Sequence, residues 1–332
     1  MKYFLINDKL VYSRAMLFSW ESGSNPSSFS ETNGEFISKK LEEVLNSTGK
    51  RIVIINANHV ADVDDHFFNC LLELYKKIKF TLILYSSDKQ HELINYFNEH
   101  LDRTIYNQVE SYTSSDTRFF CLYSQNQKIC SSKWASLKSS AEDLEKDQIK
   151  NLISSSYIKN ENRTKLSSTP LVASGHFNAN DLISNPYSFR WLVLLLVEMI
   201  YKKILDNQIN NYTIVASSLR GAAIAGSVRE ILYFFSKPKL YVFDHIGPKY
   251  DFSKGNSTFD FSGTECCFYV GDFLIGGTEL KLTQAYCQFF GGKITNAFTL
   301  GKYTNDDLIG NIQIQSIAQL KDCVEDLEYT LE

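Results

Sequence analysis

The second half of the chain constrains the fold most, because apolar segments alternate there with segments of helical pattern. The predicted strands are residues 212–216, 240–243, 266–270 and 293–300, and the predicted helices are residues 185–205, 222–235 and 279–290. Asn185 and Pro186 have the residue types expected at a helix N-cap and first position. Strands and helices that alternate over this length predict an α/β domain, with a parallel sheet and helices on both faces.

A glycine-rich turn joins one of these strands to its helix. The segment Phe-Tyr-Val-Gly-Asp-Phe-Leu-Ile-Gly-Gly-Thr at residues 268–278 runs from an apolar strand through Asp272 into a helical pattern. Glycines allow the backbone to approach an anion closely, and the first amides of a helix point towards it. Ligands on parallel sheets bind at the carboxyl ends of the strands. The segment therefore predicts a phosphate-binding loop.

The first third of the chain also reads as α/β. Residues 51–56 and 80–85 are continuous apolar runs typical of strands covered on both faces. Between them, residues 66–78 carry apolar side chains at helical spacing, and residues 88–100 predict another helix. We expect a smaller strand-helix-strand domain over residues 1–115.

The pattern weakens between these two regions. Residues 119–123 and 128–130 predict a hairpin, residues 141–153 predict a helix, and the Ser/Asn/Lys-rich residues 154–168 have the composition of a linker. We therefore expect a connector over residues 116–168, followed by the larger α/β domain over residues 169–332.

Composition excludes several classes of protein. The 332 residues are 44% hydrophobic and 22% charged, which is ordinary for a globular protein with two domains. The net charge of −4 indicates no general affinity for nucleic acid or anionic membranes. The longest apolar run, residues 191–197, is too short to span a bilayer. The seven cysteines form no CxxC pair, and with no cleavable signal pattern they predict reduced thiols in the cytoplasm.

The order of elements after about Pro170 resembles a type I phosphoribosyltransferase, and orotate phosphoribosyltransferase most of all. The local matches are Val-Ala-Ser-Gly-His-Phe at residues 172–177, Ser-Ser-Leu-Arg-Gly at 217–221, the strand at 239–243 with its long polar excursion, the glycine loop at 268–278, and the terminal strand and helix at 312–320. This resemblance implies a site for phosphoribosyl pyrophosphate, with Mg²⁺ accompanying the substrate.

The resemblance also implies roles for individual residues. Pyrophosphate would contact Ser217, Ser218, Arg220 and Gly221. The 5-phosphate would lie on Gly276, Gly277 and Thr278. Ser174 would belong to the hood over the base. Asp272 would accept hydrogen bonds from ribose hydroxyls, and Lys249 is the basic residue expected in the catalytic loop. An Arg beside a glycine turn offers a guanidinium and backbone amides to pyrophosphate together.

The chain departs from the family pattern at three places. Gly271 takes the place of the first of two consecutive acidic residues, so that only Asp272 remains. Glu279 follows the glycine turn, where a carboxylate repels a bound phosphate. Phe243 and Asp244 replace an Arg-Lys pair, which leaves Lys249 and Lys254 as the basic residues of that loop.

The first domain resembles a STAS domain of the anti-sigma-factor-antagonist type. In that family a phosphorylated hydroxyl lies in the turn before a helix, and here Asp64 and Asp65 lie at that turn instead. The two carboxylates either imitate the phosphorylated state or stabilise the start of the helix through its dipole. The resemblance implies contacts with a protein partner.

Two functions and one non-functional alternative follow. The chain binds phosphoribosyl pyrophosphate or a related nucleotide and transfers phosphoribose to a base with release of pyrophosphate, or it is a catalytically silent sensor or assembly protein that signals to a partner through its first domain. A scaffold without a ligand is the third reading. The resemblance to orotate-type enzymes also implies a homodimer.

Overall fold

The computed structural model describes residues 4–15, 31–58, 65–86, 92–101, 109–113, 117–123, 131–165, 171–233, 235–243, 259–325 and 327–331. The chain divides into two compact units, Met1–Gln148 and Ile149–Glu332. In the ranges just given, no helix combines the length and the apolar character needed to cross a membrane.

The first unit is built on a six-stranded sheet. Its strands are β1 (Leu5–Ile6), β2 (Val11–Arg14), β3 (Ile52–Asn56), β4 (Thr81–Ser86), β5 (Val109–Thr113) and β6 (Arg118–Leu122), and its helices are α1 (Glu31–Thr48), α2 (Asp65–Ile78), α3 (Glu92–His100) and the larger part of α4 (Ser131–Ser155). The order in the sheet is β1-β2-β3-β4-β6-β5, with β2, β3 and β4 parallel to one another. The predicted strands and helices of this region are therefore present. The STAS-like interpretation stays a prediction, since Asp64 lies outside the described residues and Asp65 is seen only as the first residue of α2.

Residues 116–168, predicted as a connector, include the point at which the two compact units divide. β6 pairs in an antiparallel hairpin with β5 and also with β4, whereas the predicted partner strand at residues 128–130 lies outside the described residues. The predicted linker at residues 154–168 holds the end of α4 and a nine-residue strand, β7 (Tyr157–Lys165). Polar residues there form an edge strand, which needs no apolar pattern because pairing satisfies its backbone.

A buried ion pair fixes α4 to the first sheet. Arg14, at the end of β2, donates from Nε to Oε1 of Glu145 at 2.5 Å and from a terminal nitrogen to Oε2 at 2.6 Å. The two side chains are only 8% and 14% exposed. Trp134, near the start of α4, packs its ring against Tyr85 and Phe119 of the sheet. A bidentate pair of this kind positions both elements, and each charge depends on the other for compensation.

The second unit contains a second six-stranded sheet and a separate three-stranded one. After β7 its elements are β8 (Leu171–Phe177), α5 (Ala179–Ser184), α6 (Pro186–Asn207), β9 (Tyr212–Ala216), α7 (Leu219–Leu232), β10 (Lys239–Val242), β11 (Cys266–Leu274), α8 (Thr278–Phe289), β12 (Ile294–Lys302), β13 (Leu308–Ile309), β14 (Ile312–Gln319), α9 (Leu320–Cys323) and β15 (Tyr329–Leu331). The large sheet has the order β10-β9-β11-β12-β14-β13, and all its strands except β13 are parallel. The predicted α/β fold class is confirmed.

Helices cover both faces of the large sheet. Leu280 and Cys287 of α8 lie in one apolar cluster with Cys267 and Tyr269 of β11, whereas Phe268 points to the opposite face, on which α6 and α7 pack. The helix α6 begins as predicted, with Pro186 as its first residue. The side chain of Asn185 accepts hydrogen bonds from the amides of Tyr187 and Ser188.

The small sheet has the order β15-β8-β7 and is antiparallel throughout. Its middle strand, β8, lies beside the glycine loop. The ring of Phe177 packs against that of Phe273 at 5.0 Å between centroids. The segment predicted to form a hood is thus a strand anchored next to the end of β11.

The turn from β11 to α8 requires glycine at position 277. Gly277 has φ of +72°, in the left-handed region, and it is the N-cap of α8. A Cβ atom at this position would lie 2.4 Å from Cδ1 of Ile309 in β13. The turn is therefore held by a backbone conformation and a close contact that both disfavour a side chain.

We expect Glu145→Ala to destabilise the first unit by about 3–5 kcal/mol, because it removes the carboxylate that pairs with the buried guanidinium of Arg14. The measurement is the midpoint of urea denaturation. Glu142→Ala removes an exposed carboxylate one turn earlier on α4 and is the matched control, with an expected change within about 0.5 kcal/mol. Equal midpoints for the two variants would show that the ion pair contributes nothing.

We expect Gly277→Ala to destabilise the second unit by about 2 kcal/mol, since a left-handed residue costs about 1–2 kcal/mol and the contact with Ile309 adds to this. Gly291→Ala, just after the end of α8, is the control. Gly291 has φ of +85°, but a Cβ there would meet no atom within 4 Å. The difference between the two melting temperatures isolates the contact with Ile309, and a larger loss in Gly291→Ala would contradict the prediction.

Candidate functional site

The strand order creates one crevice in the large sheet. β9 lies between β10 and β11, so the chain leaves β9 towards one neighbour and returns to the strand on its other side. The loops that follow β9 and β11 therefore diverge from adjacent carboxyl ends. In open parallel sheets such a reversal of strand order is where ligands bind.

The loop after β9 and the first turn of α7 hold the four residues predicted to contact pyrophosphate. Ser218 is the N-cap of α7, and its Oγ accepts the amide of Gly221 at 3.0 Å. Leu219 and Arg220 follow in the first turn of α7, and both are exposed. Ser217 is buried. The hydroxyl of Ser218 still has its proton to donate, because an N-cap uses the oxygen only as an acceptor.

Arg220 and Asp272 meet across the crevice. β11 pairs with β9 as far as Tyr269 and continues for residues 270–274 beside β12 alone. Asp272 lies in this extension, and its Oδ2 is 3.1 Å from Nε of Arg220. The Asp272 side chain is 14% exposed and that of Arg220 is 46% exposed. The structure thus brings together the guanidinium and the carboxylate that the sequence predicted on two separate loops.

Tyr269 explains why the first acidic residue is missing. Gly271 and Tyr269 are two residues apart on one strand, so their side-chain directions share a face of the sheet. A Cβ at position 271 would lie 2.7 Å from Cε1 of Tyr269 and 2.8 Å from its hydroxyl oxygen. No side chain fits there unless the Tyr269 ring moves. The ring therefore occupies the space in which the family pattern has a carboxylate.

The hydroxyl of Tyr269 enters a short chain of hydrogen bonds. Its oxygen lies 3.2 Å from Oγ of Ser217, and Ser217 donates to Oε1 of Glu279 at 2.7 Å. A carboxylate only accepts, so the Ser217 proton is directed at Glu279 and Tyr269 donates to Ser217. Burial raises the pKa of the Tyr269 phenol strongly, and the charges of Glu279 and Asp272 raise it further. Tyr269 therefore keeps its proton across the physiological range.

The glycine loop presents backbone amides at the start of α8. Gly276 and Thr278 are exposed, whereas Gly277 is buried against Ile309. As the N-cap, Gly277 offers no side chain to the first amides of the helix. Glu279, also exposed, contributes a negative charge to the first turn, where it interacts favourably with the helix dipole.

Two other predicted residues do not join this group. Oγ of Ser174 accepts the amide of Glu328 at 3.0 Å and lies 3.2 Å from the hydroxyl of Tyr157, and these contacts tie β8 to its two neighbours in the small sheet. Lys249 lies outside the described residues, as does Lys254. The described part of the site therefore contains neither of the lysines expected in the excursion after β10.

The described residues do not form a metal site of their own. They contain no group of three or more His, Cys, Asp or Glu side chains placed to hold a metal ion. Asp272, the acidic residue that the sequence marks in this crevice, already pairs with Arg220.

Sequence reasoning missed the part of the site that Tyr269 and Glu279 form. The sequence pattern identifies Glu279 only as a charge that repels phosphate, and it gives Tyr269 no role beyond its place in the strand. One signal was present in the sequence, because a glycine inside a predicted strand, such as Gly271, often marks a bulge or a place of close approach. The contact of Glu279 with Ser217 spans 62 residues and left no local pattern.

Comparison with known proteins gives structural similarity at low identity. No protein-family profile matches the chain, and no curated protein matches it in sequence. Among solved structures, the chain is similar to orotate phosphoribosyltransferase from Aeropyrum pernix (14% identity, 53% of this chain and 97% of that one, TM-score 0.37) and to adenine phosphoribosyltransferase from Thermoanaerobacter pseudethanolicus (13%, 52% and 99%, 0.36).

A third similarity covers more of the chain. UMP synthase from Leishmania donovani matches over 87% of this chain and 60% of its own length, at 11% identity and a TM-score of 0.37. TM-scores below 0.5 carry no conclusion about function. What this chain does is therefore inferred from its strand order and from the side-chain contacts in the crevice.

Proposed function

We propose that the second unit binds a phosphoribosyl compound in the crevice between the carboxyl ends of β9 and β11. The observation that carries this proposal is the pairing of Arg220 with Asp272 across the reversal of strand order, at 3.1 Å. A cation and a hydrogen-bond acceptor on adjacent loops match the two chemical parts of such a ligand, which are an anionic group and a ribose diol.

Each end of the ligand has a matching group. The amides of Gly276, Gly277 and Thr278 and the dipole of α8 suit the 5-phosphate. The carboxylate of Asp272 accepts hydrogen bonds from ribose hydroxyls, and the hydroxyl of Ser218 donates to an anionic oxygen near Arg220. These assignments are those the resemblance to phosphoribosyltransferases implies, and the geometry of the described residues is compatible with each of them.

Binding without turnover is the second candidate function, and Tyr269 is the observation that favours it. The ring takes the space of the missing carboxylate at position 271, so the crevice has one acidic residue for the ribose instead of two. Phosphoribosyl transfer proceeds by positioning and by stabilising charge on the leaving pyrophosphate. A sensor that reads a nucleotide needs only the binding part of this machinery, and the first unit would carry the signal to a protein partner.

Thermal denaturation tests the proposed binding. When phosphoribosyl pyrophosphate with Mg²⁺ is present at 100 times its dissociation constant, binding to the folded state raises the free energy of unfolding of the second unit by about 2.7 kcal/mol. At about 2–4 °C per kcal/mol, the melting temperature rises by about 5–10 °C. Arg220→Ala and Asp272→Asn should lose most of this rise.

Two controls accompany that measurement. Arg229→Ala removes an arginine near the other end of α7, where it stacks on Tyr233, and should keep the ligand-induced rise even if its own stability changes. MgCl₂ without the ligand accounts for effects of the metal. Identical shifts in Arg220→Ala and the unmodified chain would place the ligand elsewhere.

Release of pyrophosphate separates transfer from binding. For a chain that only binds, we expect no pyrophosphate from phosphoribosyl pyrophosphate and Mg²⁺ with any purine or pyrimidine base in a panel, over hours at micromolar protein. Steady release with one base would show that the chain is a transferase despite Gly271. Asp272→Asn is the control for that outcome, because it should abolish release that depends on this crevice.

A further inference from the structure

Two of the side chains that were expected to hold pyrophosphate already interact with carboxylates of the chain itself. Oε1 of Glu279 accepts the hydroxyl proton of Ser217, and Oδ2 of Asp272 pairs with the guanidinium of Arg220. Ser217 and Arg220, two of the predicted donors in the loop after β9, thus already contact groups from the β11–α8 segment. A ligand anion therefore receives the Ser217 proton only by replacing the Glu279 carboxylate, and it meets the exposed Arg220 guanidinium beside the Asp272 carboxylate.

The charge in this cluster is unfavourable to a polyanion. Within the group formed by Ser217, Arg220, Asp272 and Glu279, two negative charges face one positive charge. Pyrophosphate carries several negative charges at neutral pH, so its approach to Ser217 brings it beside the Glu279 carboxylate. At contact distance, like charges repel strongly in a partly buried site.

Tyr269 makes this arrangement persistent. Its buried hydroxyl donates to Ser217, which leaves the Ser217 proton for Glu279 and fixes the direction of the whole chain of hydrogen bonds. The ring also prevents a residue with a side chain from replacing Gly271. These hydrogen bonds hold the carboxylate of Glu279 towards the end of β9 and restrict the rotation of its side chain.

We propose that Glu279, held by Ser217 and Tyr269, makes the crevice selective for ribosyl compounds that carry a 5-phosphate but no pyrophosphate, which is the class of nucleoside 5′-monophosphates and ribose 5-phosphate. This inference rests on the proposed function, because it assumes that the glycine loop takes the 5-phosphate. It adds that Glu279 is a specificity-determining residue at the opposite end of the ribose.

Isothermal titration with four probes tests the selectivity. The probes are ribose 5-phosphate, a panel of nucleoside 5′-monophosphates, phosphoribosyl pyrophosphate with Mg²⁺, and inorganic pyrophosphate with Mg²⁺. In the unmodified chain we expect ribose 5-phosphate or a monophosphate to bind, phosphoribosyl pyrophosphate to bind no tighter than ribose 5-phosphate, and pyrophosphate not to bind at millimolar concentration.

The variant Glu279→Gln isolates the charge. Glutamine keeps an oxygen that accepts from Ser217 but removes the negative charge, so the affinity for phosphoribosyl pyrophosphate and for pyrophosphate should rise at least tenfold. The affinity for ribose 5-phosphate should rise by a smaller factor, because Glu279 only partly compensates the helix dipole that its single phosphate meets. Glu265→Gln removes the same charge just before the amino end of β11, where Glu265 accepts the amide of Asn211, and should change neither affinity.

Ser217→Ala provides a second test that leaves the net charge unchanged. It removes the group that holds Glu279 towards β9, so the preference for ribose 5-phosphate over phosphoribosyl pyrophosphate should decrease while all charges remain. Melting temperatures of the three variants show that each one folds.

The outcomes distinguish this inference from the proposed function. If phosphoribosyl pyrophosphate binds the unmodified chain more than tenfold tighter than ribose 5-phosphate, or if Glu279→Gln gains no affinity for pyrophosphate, the selectivity is overturned and phosphoribosyl binding stands. If none of the four probes binds any variant, the proposed function fails and the selectivity fails with it.

Discussion

The position of β9 in the large sheet is the constraint on which the rest of the site depends. The chain leaves β9 for β10 on one side and comes back to β11 on the other, so two loops that are distant in sequence open from adjacent strand ends. All five residues of β9 are buried, and it is hydrogen-bonded to both neighbours. The backbone, more than any flexible side chain, therefore fixes the separation of Arg220 from Asp272 and of Ser217 from Tyr269. Ligands bind at such reversals because no helix covers the sheet edge there.

Three unusual residues in the crevice form one structural unit. The ring of Tyr269 fills the space beside Gly271, and the hydroxyl of the same ring donates to Ser217. Ser217 in turn directs its proton to Glu279. Restoring a carboxylate at position 271 would displace the ring and break this chain of hydrogen bonds, so the departures from the phosphoribosyltransferase pattern depend on one another. The buried hydroxyl of Tyr269 thus helps to orient a carboxylate of the same chain.

The sequence predicts the parts of the molecule whose signal is local. Four strands, β3, β4, β9 and β11, are apolar because other elements bury both of their faces. The order of the strands in the sheet then decides which of the following loops lie next to each other. β2 was not predicted because Arg14 interrupts its apolar pattern, and Glu145, which pairs with this arginine, lies 131 residues further along the chain. The edge strand β7 has the polar composition of a linker, because an edge strand needs no apolar pattern. At the site, Arg220 and Asp272 could be predicted from their loops, but the contact between Ser217 and Glu279 depends on side-chain rotamers.

The interaction of Glu279 with α8 also determines what a ligand can gain. A carboxylate in the first turn of a helix stabilises it by about 0.3–1 kcal/mol, and a bound phosphate interacts with the same dipole. The helix end is therefore partly compensated before any ligand arrives, which lowers the net gain from binding an anion there. Because Ser217 holds the carboxylate towards β9, this compensation acts on the side of the crevice nearest Arg220. Gly277 supplies no capping side chain to the first amides of α8, so the Glu279 carboxylate that Ser217 holds is the charged group of the first turn.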